Sequence, residues 1–157
     1  MERNDLYFLS EAEKLACENV RAGGGPFGAV IVKAGKVIST GVNLVIDTYD
    51  PSAHAEIEAI RAAGQVLKNH DLSGCVLYSS CEPCPMCLGA IYWAHIDRVV
   101  YGSTRKDAGK AGFMDETLYT EMGLDPAERK IRFERIELPQ TGEAFKLWMS
   151  KSDRKEY

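Results

Sequence analysis

The stretch Cys81-Glu82-Pro83-Cys84-Pro85-Met86-Cys87 constrains this chain more than any other. It crowds three cysteines into seven residues, each separated from the next by two. Such spacing suits a metal ion, a redox dithiol or an iron–sulfur cluster, and each makes a different demand on the rest of the sequence. The ferredoxin-type run continues with a further cysteine where this chain has Ile91. A redox pair at Cys81/Cys84 or Cys84/Cys87 stays open, but it leaves one cysteine without a role.

Zinc accounts for more. Cys84 and Cys87 fall on one face at the start of a predicted helix, Pro85 to Ala94, whose N-terminus favours thiolates. A structural zinc takes four protein ligands, and no second CxxC or histidine pair completes such a set. One histidine stands at another predicted helix start, His54 in "SAHAEIEAI". His54, Cys84 and Cys87 make the three-ligand set of a catalytic zinc that keeps one position for water.

Glu56 follows His54 closely. Mid-helix the two side chains would diverge, but from a first turn both reach the same site. There Glu56 could take a proton from the water and deliver it to a leaving group, with the metal drawing the water's pKa towards about 7. Cys81 is left as a buried thiol at a strand end, and His70 and His95 as structural histidines.

Along the chain, Leu9, Ala12, Leu15, Ala16 and Val20 recur at helical spacing, predicting a helix from Leu9 to Val20. "AVIVK" and "KVIST" read as a hairpin turning at Ala34-Gly35. Asp50-Pro51 or Ser52 can cap a helix from about Ala53 to Leu67. "CVLYSS" and "RVVYGS" are strands on either side of the Pro85 helix. This β-β-α-β-α-β order predicts a mixed sheet with helices on its faces. Beyond it lie a short helix near Glu116 to Met122, an extended "IRFERIEL" and a last helix from Glu143 to Ser152. "GGGPFG" is no phosphate loop, because it opens a strand and lacks Gly-Lys-Ser/Thr.

The length predicts one domain with a real core. Five cysteines, three of them clustered, argue against a disulfide framework and for a reducing, cytoplasmic compartment. No secretory leader or membrane span is read from the sequence. The net charge of −4 argues against a nucleic-acid partner, and from Arg105 onward 11 basic residues balance 11 acidic ones.

His54-Ala55-Glu56 followed by Pro83-Cys84-Pro85-Met86-Cys87 resembles the signature of the zinc-dependent nucleoside and nucleobase deaminases. The resemblance implies a three-layer α/β/α cytidine-deaminase-like fold with a mixed five-stranded sheet. "GGPFGAVIVK", "DPSAHAEIEAIR", "SSCEPCPMCLGAIYWA", "AGFMDETLY" and the terminal "KEY" are similar to the bacterial guanine deaminases. That likeness implies a single zinc-dependent domain over residues 1–157, one Zn2+ per chain, and hydrolysis of guanine to xanthine and ammonia. It further implies a homodimer, with the segment from about 115 to 157 completing the active site in cis or in the partner.

In the subsite roles it implies, Glu56 and Asp115 are catalytic, and Asp115 faces the guanine edge bearing N1 and the 2-amino group. Asn43, Phe27, Ala55, Trp93 and Tyr157 bind the base. The pattern carries an acid where this chain has Met114, which leaves the register among Met114, Asp115 and Glu116 open. On residue pattern alone Asn43 can equally end a strand, Phe27 and Trp93 can be core, and Asp115 can cap a helix. The rival activities are tRNA adenosine deamination, for which a basic surface is expected, and cytosine deamination. A zinc-stabilised interaction module is the rival outside enzymes, and it has no need of Glu56.

Overall fold

The computed structural model describes residues 3–156. Helix α1 (Arg3–Arg21) precedes the hairpin β1 (Gly28–Lys33) and β2 (Lys36–Val42). The chain continues through the single turn α2 (Val45–Thr48), helix α3 (Ala55–Leu67), strand β3 (Cys75–Cys81), helix α4 (Pro85–Trp93) and strand β4 (Arg98–Ser103). Helices α5 (Arg105–Lys110) and α6 (Asp115–Met122) follow.

The sheet order is β2-β1-β3-β4. Strand β1 is antiparallel to both neighbours, while β3 and β4 are parallel, joined by α4 as a crossover helix. A bulge lies between Ile31 and Val32, so that Ile31 faces Ser39 and Val32 faces Val37. The central strand β1 is buried on both sides, and its alternate residues feed two cores. Ala29 and Ile31 pack with Ala55, Ala59, Ala63, Leu77 and Ile91 under α3 and α4. Val30 and Val32 pack with Phe8, Ala12 and Tyr78 under α1. Three layers result, helix, sheet and helix, as expected.

Two glycines allow the helices to sit this close. A Cβ at Gly28 would run into the Ala12 carbonyl of α1. A Cβ at Gly41 would run into the Ala55 carbonyl and lie 2.5 Å from the Ala59 nitrogen. Gly41 therefore lowers the first turn of α3 onto the sheet, where His54 and Glu56 sit. On the α1 side, Asp5 is buried and takes Tyr78 Oη at 2.7 Å and both Arg98 guanidinium nitrogens at 3.1 and 2.6 Å. That ties α1 to β3 and β4.

One expectation needs correction. Among the described residues the sheet has four strands, not five. The segment "IRFERIEL" is irregular, and neighbouring Arg132–Glu134 and Arg135–Glu137 ion pairs run along it. Its apolar residues change face at Glu134-Arg135, and it joins no ladder. The described chain divides into two compact units, Met1–Tyr119 and Thr120–Tyr157. The second contains a 3-10 turn at Pro126–Glu128 and helix α7 (Glu143–Ser150). Within it, the Arg129 guanidinium lies 5.1 Å from the Phe133 ring centroid.

Candidate active site

His54 and Cys84 are the N-cap residues of α3 and α4. Both have extended backbone, with φ, ψ of −74°, 156° and −68°, 168°, and neither side chain caps its helix. Each is instead free to turn towards the other. Pro85 opens α4 at a position where its missing N–H costs nothing. Cys87 follows within the first turn of α4, and Glu56 within the first turn of α3. Two helix N-termini thus converge on one place, and both favour negative groups there.

The ligand atoms form a compact triangle. His54 Nδ1 is 3.5 Å from Cys84 Sγ and 3.6 Å from Cys87 Sγ, and the two sulfurs are 3.6 Å apart. Tetrahedral zinc, with Zn–S near 2.3 Å and Zn–N near 2.0–2.1 Å, has ligand edges of about 3.6–3.8 Å. The three residues fit that ion, and they form the metal-capable group found among the described residues. The separation also excludes a disulfide, which needs sulfurs about 2.05 Å apart. All five cysteines are free.

The charges follow from this crowding. The hydrogen bond between the two sulfurs, with His54 beside it, holds Cys84 down at about 4 despite its burial. The same bond and burial push Cys87 up. His54 is raised, chiefly by its bond to Cys84. Cys81 is absent from the group, as expected: its thiol donates to the Thr104 carbonyl at 3.6 Å, and burial raises it to about 11.

Glu56 is 5% exposed. Ser79 Oγ donates to its Oε1 at 3.2 Å, and Cys87 Sγ lies 3.5 Å from its Oε2. Burial is the main cause of its raised pKa. The carboxyl is therefore aimed at the ligand triangle and fixed from β3 without belonging to the triangle.

A cavity of about 410 Å³ opens over these groups, lined by His54, Glu56 and Cys84. That volume is in the range of small-molecule pockets. Phe27, Asn43 and Asp115 also line it, as the sequence led us to expect. Phe27 meets Phe113 edge-on, with centroids 4.8 Å apart and planes at 78°. Asn43 Oδ1 accepts the Val45 N–H at 3.3 Å, which leaves its amide NH2 for the cavity. Asp115 is raised, first by burial and then by the Cys84 charge.

Other expected site residues lie elsewhere. Ala55 is fully buried beneath Gly41, between the two cavity-lining residues His54 and Glu56. Trp93, at the end of α4, is 66% exposed and does not line the cavity. Tyr157 lies outside the described residues.

Four contributors were not anticipated. Phe113 and Glu82 line the cavity, although both stand inside quoted motifs. Ser79 holds Glu56. Asn19, buried on α1, donates from Nδ2 to the Gly25 carbonyl at 2.8 Å and the Asn43 carbonyl at 2.9 Å, joining two parts of the cavity wall. A Cβ at Gly24 would lie 2.5 Å from that nitrogen.

A buried carboxyl beside a His-Cys-Cys triangle, on two converging helix starts, defines a zinc deaminase site. The chain belongs to the cytidine and deoxycytidylate deaminase family: the family model for the zinc-binding region matches residues 2–103. Within that family it is 50% identical over 155 residues to the guanine deaminase of Bacillus subtilis (strain 168), across 98% of this chain and 99% of that one. An X-ray structure of guanine deaminase from Bacillus subtilis matches it with a TM-score of 0.95 and 49% identity, covering 100% and 99% of the two chains. A tRNA-specific adenosine deaminase of Buchnera aphidicola is 43% identical over 110 residues, 70% of this chain and 73% of that one. The two guanine deaminase matches run through the segment beyond residue 103, where Phe113 and Asp115 lie.

Proposed function

We propose that this chain hydrolyses guanine to xanthine and ammonia. One observation carries the reading: the cavity that holds His54, Glu56 and Cys84 also holds Asp115. Asp115 comes from the segment beyond the zinc-binding region, which the chain shares with guanine deaminase.

Bound by His54, Cys84 and Cys87, one zinc ion per chain would supply Lewis-acid activation of the attacking water. The rest falls to the chain. Asn43 donates its amide N–H to an acceptor on the purine. Phe27, braced by Phe113, gives the ring an apolar face, where stacking contributes about 1–3 kcal/mol. Asp115 accepts from the edge bearing N1–H and the 2-amino group, which adenine lacks.

Glu56, held by Ser79, takes a proton from the water as its oxygen attacks C2. It then returns that proton to the departing 2-amino nitrogen. The water oxygen stays as the C2 carbonyl, one water proton leaves in ammonia, and the other ends on N3 of xanthine. The backbone of Ala55 holds His54 and Glu56 in register.

The same reading makes residues 1–157 one functional domain in a cytoplasmic homodimer. Its C-terminal segment, with Tyr157, closes its own or the partner's site. Five free cysteines support the reducing setting. No helix among the described residues is long and apolar enough to cross a membrane. Glu82 and Asp115 beside Glu56 disfavour a phosphate backbone at the cavity, which weighs against tRNA.

Zinc-loaded protein incubated separately with guanine, adenine, cytosine and an adenosine-bearing tRNA anticodon stem tests this. Ammonia and xanthine from guanine are expected. Inosine in the tRNA with inert guanine would overturn the substrate, and silence on all four with zinc bound would favour a structural module.

A further inference from the structure

Tyr119 stands in "AGFMDETLY" but takes no part in the chemistry above, and it does not line the cavity. It lies one helical turn after Asp115 on α6, so the two side chains share a face. Its hydroxyl donates to the Pro83 carbonyl at 2.9 Å. That carbonyl belongs to the peptide leading into Cys84.

A second contact holds the same ring. The Arg105 guanidinium lies 4.4 Å from the Tyr119 centroid. Arg105 is itself fixed to the cysteine turn: its backbone N–H donates to Glu82 Oε2 at 3.0 Å, and its Nε is 3.8 Å from Oε1. Glu82 and Pro83, the two residues before Cys84, thus both bear on Tyr119, one through Arg105 and one directly.

We propose that Tyr119 is a positioning residue: its O–H bond to the Pro83 carbonyl sets the distance between Asp115 and the Cys84 turn. Asp115 is then aligned with the amino edge of a base lying over the ligand triangle. The inference rests on the role given to Asp115 above. Tyr119 touches neither base nor metal and acts on the base through Asp115; an effect through the Cys84 turn instead would show as a changed zinc content.

Tyr119→Phe is the direct test, since it keeps the ring under Arg105 and removes only the hydroxyl. In the zinc-loaded protein, kcat/KM for guanine should fall about three- to tenfold, the effect of one neutral hydrogen bond. Zinc content should stay at the wild-type value, and the melting temperature should fall by no more than about 5 °C. In an Asp115→Asn background the same change should cost less than about twofold, because a positioning residue has nothing left to position. Equal losses in both backgrounds, or no loss in the first, would overturn the proposal, as would an Asp115→Asn protein of unchanged activity. Should wild-type protein be inert on guanine, the substrate reading fails. The cycle is then run on whichever base is turned over, so that the two failures are read separately.

Discussion

At the scale of single residues, the zinc ligands and Glu56 differ in what their loss should do. Glu56 lies beside the ligand triangle but outside it, held by Ser79. Glu56→Gln keeps shape and removes the proton carrier, so kcat should fall about 10²–10⁴-fold while bound zinc, measured by elemental analysis, is unchanged. Loss of zinc would make Glu56 a ligand and end the mechanism. Asn19→Ala should act on the other wall. It strands the Gly25 and Asn43 carbonyls and costs about 1–3 kcal/mol in denaturant unfolding. Because Asn43 then loses its support, KM for the base should rise more than kcat falls; an unchanged KM would leave Asn19 purely structural. His54, Glu56, Cys84 and Cys87 were legible in the sequence because each stands in the first turn of a helix whose start the sequence marks. Asn19, Ser79 and Glu82 were not. Asn19 reaches Asn43 across 24 residues of chain, and nothing local to either residue records that contact.

At the scale of elements, the long helices and the hairpin were read from their apolar periods, with ends displaced by a few residues. The α1 helix begins well before Leu9, because Asp5 and Phe8 are core-facing residues of an extra turn. Helix α5 was missed. "RKDAGK" has no apolar stripe, and the helix exists through its cap: Thr104 and Asp107 form a reciprocal capping box. The Thr-x-x-Asp spacing was the available signal. Those bonds, with Thr104 first, lower Asp107 from 3.8 to about 2. A depressed carboxylate contributes its stabilisation fully above its unfolded pKa and loses it as pH falls through the folded one. The cap should therefore hold at pH 5 and release between about pH 4 and 2. In Thr104→Ala the Asp107 titration, followed by NMR, should move back up towards 3.8. An unmoved midpoint would mean that Lys110, not Thr104, sets it. The extended "IRFERIEL" is the converse case. Its apolar residues change face at Glu134-Arg135, so a strand there would bury no single side, and it joins no ladder.

At the scale of the whole molecule, the two cores lie on opposite faces of the sheet, and the metal ligands sit at the edge of one of them. Ile57, Cys84 and Cys87 form a small buried cluster of their own. Ile31, Leu77 and the α3 alanines bury themselves without it, as do Val30, Phe8 and Tyr78 beneath α1. The fold therefore has enough apolar contact to stand without zinc, unlike a zinc finger, whose core is the metal. Zinc should still add stability by binding the folded state, because His54 and the two cysteines meet only there. At free zinc 100–1,000 times its dissociation constant, the gain is about 2.7–4 kcal/mol, or about 5–15 °C in melting temperature for a chain of this length. Chelation should thus lower the melting temperature by that amount while far-UV circular dichroism at 25 °C keeps its helix and strand signal. Collapse of that signal on chelation would reverse the argument. The metal would then be holding the fold together, and the triangle of His54, Cys84 and Cys87 would be read first as a structural staple.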